Sequence, residues 1–145
     1  MTARVVELTV PAREDMLLIA RMTLSGVCAR CGFGLDMVED ARIAADEACY
    51  CLMRQREPVG SLRMTCRWDD ARLSIAFESV SAEGGETGYA DDPAIDADGV
   101  ELARSILETL VTSARLSSDG RGVYAIHMEM DYAAGAAAGE PGRGL

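Results

Sequence analysis

Apolar positions along this chain recur with two periods, and the switches between them mark out its elements. Arg4 to Val10 alternates and predicts a short strand, which Pro11 ends. From Pro11 to Cys31 the spacing becomes helical, with Leu17, Ala20, Leu24, Val27, Cys28 and Cys31 on one stripe. Gly32-Phe33-Gly34 is a stop signal. A second helix is predicted from about Leu35 to Arg56, with Val38, Ala41, Ala45, Ala48, Cys49 and Leu52 as its core stripe. Asp36 and Glu39 read as a capping box at its start, and Pro58 and Gly60 break it.

Leu62 to Trp68 and Leu73 to Ser79 then read as strands joined by an Asp69-Asp70 turn. A third helix is predicted over Gly99 to Thr112, with Leu102, Ile106, Leu107 and Leu110 on its apolar side. Ala114 to Ser117 and Val123 to Met130 are the last strands, separated by the turn signal Asp119-Gly120. The order predicts an α+β two-layer sandwich: a mixed sheet with three helices on one face and the second helix at the centre. Residues 1–132 form the one predicted domain. The Ala/Gly-rich stretch 133–145 reads as a flexible tail.

Composition narrows the function classes. At 145 residues and 49% hydrophobic the chain is long enough for a real core, and with 5% aromatics that core is aliphatic. The formal charge is −10, and all 14 basic residues are arginine. An acidic surface repels phosphate backbones, so direct nucleic-acid binding is not expected. The absence of lysine removes P-loop and lysine-nucleophile chemistry. No apolar run approaches the roughly 20 residues of a membrane span, and Met1 to Val10 reads as a strand rather than a signal peptide. The expected compartment is the cytoplasm, and five cysteines, an odd number, argue against a disulfide framework.

Other candidate chemistry is weak. Cys28 and Cys31 fall at core spacing, and Cys49 and Cys51 point to different sides of a helix, so neither pair converges on a metal. Seven carboxylates lie between Glu83 and Glu101, but Asp91, Asp92, Asp96 and Asp98 match no calcium-loop spacing. That acidic stretch is expected to be a solvated loop. No metal site is predicted, and Ser117, Ser118, Asp119 and His127 form no triad spacing.

One stretch carries more. Glu47 and Cys51 lie four residues apart and share a second helix face, bordered by Asp40, Ile43, Ala44 and Arg54. Arg42 to Cys51, R-I-A-A-D-E-A-C-Y-C, resembles the N-box of the anti-sigma-factor serine kinases, a branch of the histidine-kinase-like (GHKL) ATPases. L-T-V-P-A before the first helix, G-F-G-L-D between the helices and I-L-E-T-L-V in the third are similar to that family too. The resemblance runs from about Val5 to Asp131.

It implies a nucleotide pocket and a role for each position. Glu47 takes the general-base position, and Cys51 takes that of the Asn that holds Mg²⁺. Glu78 takes the adenine-binding carboxylate position, where Val80 and Ala82 replace glycines. Glu101 and Ala103 replace the phosphate-loop glycines, with Gly99 as a shifted substitute, and Val123 replaces a hydroxyl-bearing residue. A thiol is a poor Mg²⁺ ligand, and Cβ atoms stand where a ligand would press on bare backbone. ATP and Mg²⁺ are therefore expected to bind weakly or not at all.

The function this implies is regulatory binding to a sigma factor or an anti-anti-sigma protein, as a homodimer, with Arg13 and Arg21 of the first helix as contacts. The alternatives are an active serine kinase with a divergent pocket, and a purely structural dimerisation module.

Overall fold

The computed structural model describes residues 3–81 and 94–132. Strand β1 (Arg4–Pro11) leads through a 3-10 turn, Glu14–Met16, into α1 (Leu17–Cys31) and α2 (Leu35–Met53). β2 (Val59–Trp68) and β3 (Arg72–Ser81) follow as a hairpin, then α3 (Ala97–Leu110), β4 (Ser113–Asp119) and β5 (Gly122–Asp131). The predicted tail and the part of the acidic stretch before residue 94, including Ala82, Asp91 and Asp92, lie outside the described residues.

The two-layer α+β sandwich is as expected from the sequence, with one difference. The five strands are ordered β1-β2-β3-β5-β4, and every neighbouring pair is antiparallel rather than mixed. Chain geometry gives the reason. Two helices between β1 and β2 return the chain to the end it left, so β2 runs back along β1. The single helix α3 leaves β4 parallel to β3, but β5 folds in between them, so no two parallel strands are neighbours.

The sheet turns one face to the helices. Leu62, Met64 and Cys66 of β2, Leu73, Ile75 and Phe77 of β3, and Ile126, Met128 and Met130 of β5 are buried there at alternate positions, as strand geometry requires. Val6 and Leu8 of β1 and Ala114 and Leu116 of β4 pack against the same core. Against it lie Leu24, Val27 and Cys28 of α1 and Ala41, Ala45, Ala48 and Leu52 of α2.

Helix ends show where local rules held. α1 stops at Gly32, whose φ of 80° is left-handed, with Gly32 N donating to Ala29 O and Phe33 N to Cys28 O. α2 starts at Gly34 with no side-chain cap, so the expected Asp36–Glu39 capping box is absent and Asp36 sits in the first turn instead. Its charge there still favours the helix N-terminus. α3 buries Ala103 and Leu107, whereas Leu102 stays 63% exposed. Of the expected stripe Leu107 is buried and Leu110 packs against the core, and only Leu102 is exposed, its place taken by Ala103. α2 buries Ala41, Ala44, Ala45 and Ala48, and α3 packs on it through a helix whose own buried residues include another alanine. Short side chains let helix axes approach, a consideration that outweighs the bulk of Leu102.

Candidate functional site

One edge of α2 carries Glu47, Cys51 and Gln55 at successive turns, the i, i+4 spacing that stacks side chains on a helix. Glu47 is half-buried and Cys51 is 2% exposed. Burial, reinforced by the adjacent Glu47 charge, pushes the Cys51 thiol up to about 11, while the Arg54 guanidinium works against it. The structure therefore does bring Glu47 and Cys51 together, and it holds Cys51 as a neutral thiol. A neutral sulfur offers little to a hard cation. Among the described residues no group of His, Cys, Asp and Glu could hold a metal ion.

Gln55 is the residue that sequence reasoning missed. Just beyond the end of α2, its Nε2 donates to Cys51 O at 2.6 Å, and its Oε1 accepts from Val123 N at 3.0 Å. It ties the helix to the start of β5. Gly122 alongside has a φ of 122°, and a Cβ there would run into Gln55 Oε1. The glycine is thus required twice, by its backbone and by its neighbour. The signal was present in the sequence as a polar residue continuing the Glu47–Cys51 spacing.

Gln55 forms one wall of a cleft of about 210 Å³, whose other walls include Ser79, Ser81, Asp119, Arg121 and Tyr124. Ser79 Oγ donates to Tyr124 O at 3.3 Å. Glu78 is not in this cleft. It projects from the opposite face of the sheet, where Arg63 lies 3.7 Å away. Strand alternation separates the two: Phe77 and Ser79 share the helix-facing side, and Glu78 cannot. Glu47 and Glu78 are therefore not brought together.

Gly99 lies in the first turn of α3. Its N–H is taken by the helix's own cap, Asp96 Oδ1, at 2.7 Å. Asp98 adds a second carboxylate to that turn. An anion arriving at this helix N-terminus would have to displace Asp96 and overcome both charges. Glu101 is exposed and lies 3.4 Å from Arg104, and Ala103 is buried against the core. The Val123 side chain is buried, and its N–H is already taken by Gln55.

The remaining thiols are inert by environment. All five cysteines are free and buried. Burial raises Cys28 and Cys66 to about 12 and lifts Cys31 and Cys49 as well. Arg13 and Arg21, expected to reach a partner, already have acidic neighbours within the chain, Asp15 at 3.0 Å and Asp46 at 3.6 Å. Beside the Arg21–Asp46 bridge the outer helix surface carries several apolar side chains. Leu18 and Met22 flank Arg21 on α1, and Ile43 and Tyr50 stand a turn to either side of Asp46 on α2. All four are exposed, Met22 to 67%.

No protein-family model matches the chain. It is similar to curated proteins named serine-protein kinase RsbW. The relatives from Bacillus thuringiensis (strain Al Hakam), Bacillus cereus (strain B4264) and Bacillus anthracis (strain CDC 684 / NRRL 3495) are each 35% identical over 72 residues. The match takes in 48% of this chain and 45% of each relative, so the chain spans about half the length of the proteins it matches. Among the described residues no helix is long and apolar enough to cross a membrane.

Proposed function

We propose that this chain is a regulatory binding domain of the anti-sigma-factor kind, acting in the cytoplasm on a sigma factor or an anti-anti-sigma protein. The observation that carries the binding reading is the exposed apolar surface of Leu18, Met22, Ile43 and Tyr50 around the Arg21–Asp46 bridge. Large apolar side chains left exposed on one helix surface are the raw material of an interaction site. The resemblance over Arg42 to Cys51 and the similarity to serine-protein kinase RsbW support the choice of partner. The net charge of −10 suits a partner with basic surface, whose encounter it would speed.

In this reading Mg-ATP binds weakly or not at all. Three features support that: the Cys51 thiol at the metal position, Asp96 occupying the Gly99 amide, and Gln55 occupying the Val123 amide. In this reading Glu47 is a half-buried carboxylate next to the neutral Cys51 thiol, with no metal to act through. The second reading is an active serine kinase, favoured by the names of the matched relatives. The domain acts as a homodimer.

Two measurements test this. Capture from the native lysate with the full chain, read by mass spectrometry, is expected to return a sigma factor or its antagonist. Met22→Asp, at an exposed position, should weaken that complex by about 30-fold, the ~2 kcal/mol of a hot-spot residue. Capture of neither protein class, or an unchanged affinity of the variant, overturns the reading. Calorimetry with Mg-ATP is expected to show no binding tighter than about 10 μM, and a tighter Kd overturns the weak-binding reading and revives the kinase one.

A further inference from the structure

The face of the sheet turned away from the helices carries charge that its own fold leaves unbalanced. Strand registers set its side chains out in rows. One row reads Glu7, Thr65, Ala76, His127, Arg115 across β1, β2, β3, β5 and β4. The next reads Val5, Arg67, Ser74, Glu129, Ser113. Ser74 and Ala76 are small, and they floor a groove of about 500 Å³ along β3. That volume suits a small molecule. The groove shares no lining residue with the Gln55 cleft.

Arg67 stands on one flank of the groove, and Arg115 with His127 on the other. Two carboxylates also line it, but each already faces an arginine outside the lining. Glu78 lies 3.7 Å from Arg63, and Glu129 lies 2.8 Å from Arg72. Arg67 and Arg115 make no ion pair among the described residues. The uncompensated charge in the groove is therefore positive, on a chain whose net charge is −10. Both cations are arginines, whose planar fork matches a carboxylate or phosphate through two parallel hydrogen bonds. Thr65, Ser74 and Ser113 add hydroxyl donors. Arg115 and His127 are direct cross-strand partners, so their side chains stand side by side. Arg67 is on β2, separated from Arg115 by the widths of β3 and β5, roughly 14 Å across the sheet at ~4.8 Å per strand. A compact anion meets one end of the groove, whereas a molecule with an acidic group at each end meets both.

We propose that this groove binds a small molecule carrying an acidic group, carboxylate or phosphate, at each end. One end sits between Arg115 and His127, the other on Arg67, and the spacer lies over Ser74 and Ala76. The charge complementarity is local, because the rest of the acidic chain repels such a ligand and the groove alone attracts it. The site stands apart from the nucleotide question and from the helix surface assigned to a protein partner.

The test uses the chain's one histidine, His127, whose imidazole gives a single set of ring signals in nuclear magnetic resonance. The full chain is titrated at constant ionic strength with adipate, which has a carboxylate at each end of a short chain. A straight-chain bisphosphate of similar length is the second probe, and acetate is the one-ended control. At least one two-ended probe is expected to shift the ring signals saturably, with a Kd below ~1 mM, and acetate to bind at least ~10-fold more weakly. The tighter of the two probes identifies the acidic group. Arg67→Gln and Arg115→Gln should each raise that Kd by about 10-fold, with thermal melts confirming that both variants are folded. No saturable shift at ~10 mM of either probe overturns the proposal. Acetate binding as tightly as the two-ended probe, or a Kd unchanged in both variants, overturns it too. Ring signals that move with protein concentration and not with probe would show a second copy covering the groove, and would also overturn it.

Discussion

The two faces of the sheet share one backbone and differ in every other respect. Ile75 and Phe77 are 0% and 1% exposed beneath the helices, while Ser74, Ala76 and Glu78, one residue away each, line the open side. The covered face is aliphatic, aromatic and sulfur-bearing, so its contribution scales with area removed from water. The open face is made of charges and small side chains, whose contribution to folding is small because water competes for them. Stability is thus concentrated on one side of a strand and recognition chemistry is free to occupy the other. A one-residue step along β3 moves a substitution from the first regime to the second.

That contrast can be broken by experiment. Ile75→Ala leaves a cavity in the covered face and should cost about 2–5 kcal/mol in urea unfolding. A loss below about 1 kcal/mol would show that the helix layer collapses onto the gap.

The thiols sharpen the same comparison by pH. An ordinary thiol titrates at 9.0, whereas burial holds Cys51 at about 11 and Cys28 and Cys66 at about 12. Above pH 9 the unfolded chain has released protons that the folded chain retains, so it binds fewer of them, and stability falls as pH rises. That stability is fully present below the unfolded value and lost progressively from pH 9 towards 11 and 12. Urea midpoints should decline over that window, and a flat profile would place the thiols in contact with water.

Gln55→Ala removes two hydrogen bonds and leaves the Val123 N–H without its acceptor, so about 1–2 kcal/mol is expected. The amide exchange rate of Val123 should rise with it. A stability unchanged within error would mean that water replaces Gln55 in the cleft. The smallest effect belongs to Ser74→Ala on the open face, within about 0.5 kcal/mol of wild type. A larger loss there would assign the open face a share in folding.

How far these regions were legible in advance follows the same division. The α2 stripe from Ala41 to Leu52 was readable because burial on a helix repeats at a fixed period, and each of its members from Ala41 onward is buried. In α3 the period locates Leu107 and Leu110 on the inner side, but Ala103 rather than Leu102 takes the buried place one turn earlier, because close helix approach favours the smaller side chain. Glu78 was matched to a pocket position by counting along the chain, yet a strand's alternation hands the cleft to Ser79. Gln55 went unread because its importance lies in Val123, 68 residues away in sequence.

By itself the sequence determined the periods, the stop at Gly32, the two hairpins, the acidic charge and the pairing of Glu47 with Cys51 on one helix face, whereas α2 ends at Met53, ahead of the expected break at Pro58. Each is a local property, set by backbone geometry within a turn or two of the residues concerned. Only the tertiary structure decided that β5 enters between β3 and β4, that Glu78 and Glu47 lie on opposite sides of the sheet, and that Gln55 closes onto Val123. It also set Glu7 and Arg115 on opposite flanks of one strand row, 108 positions apart in the chain. These depend on which segments meet after long loops close, and packing and strand register settle that choice beyond the reach of any local period.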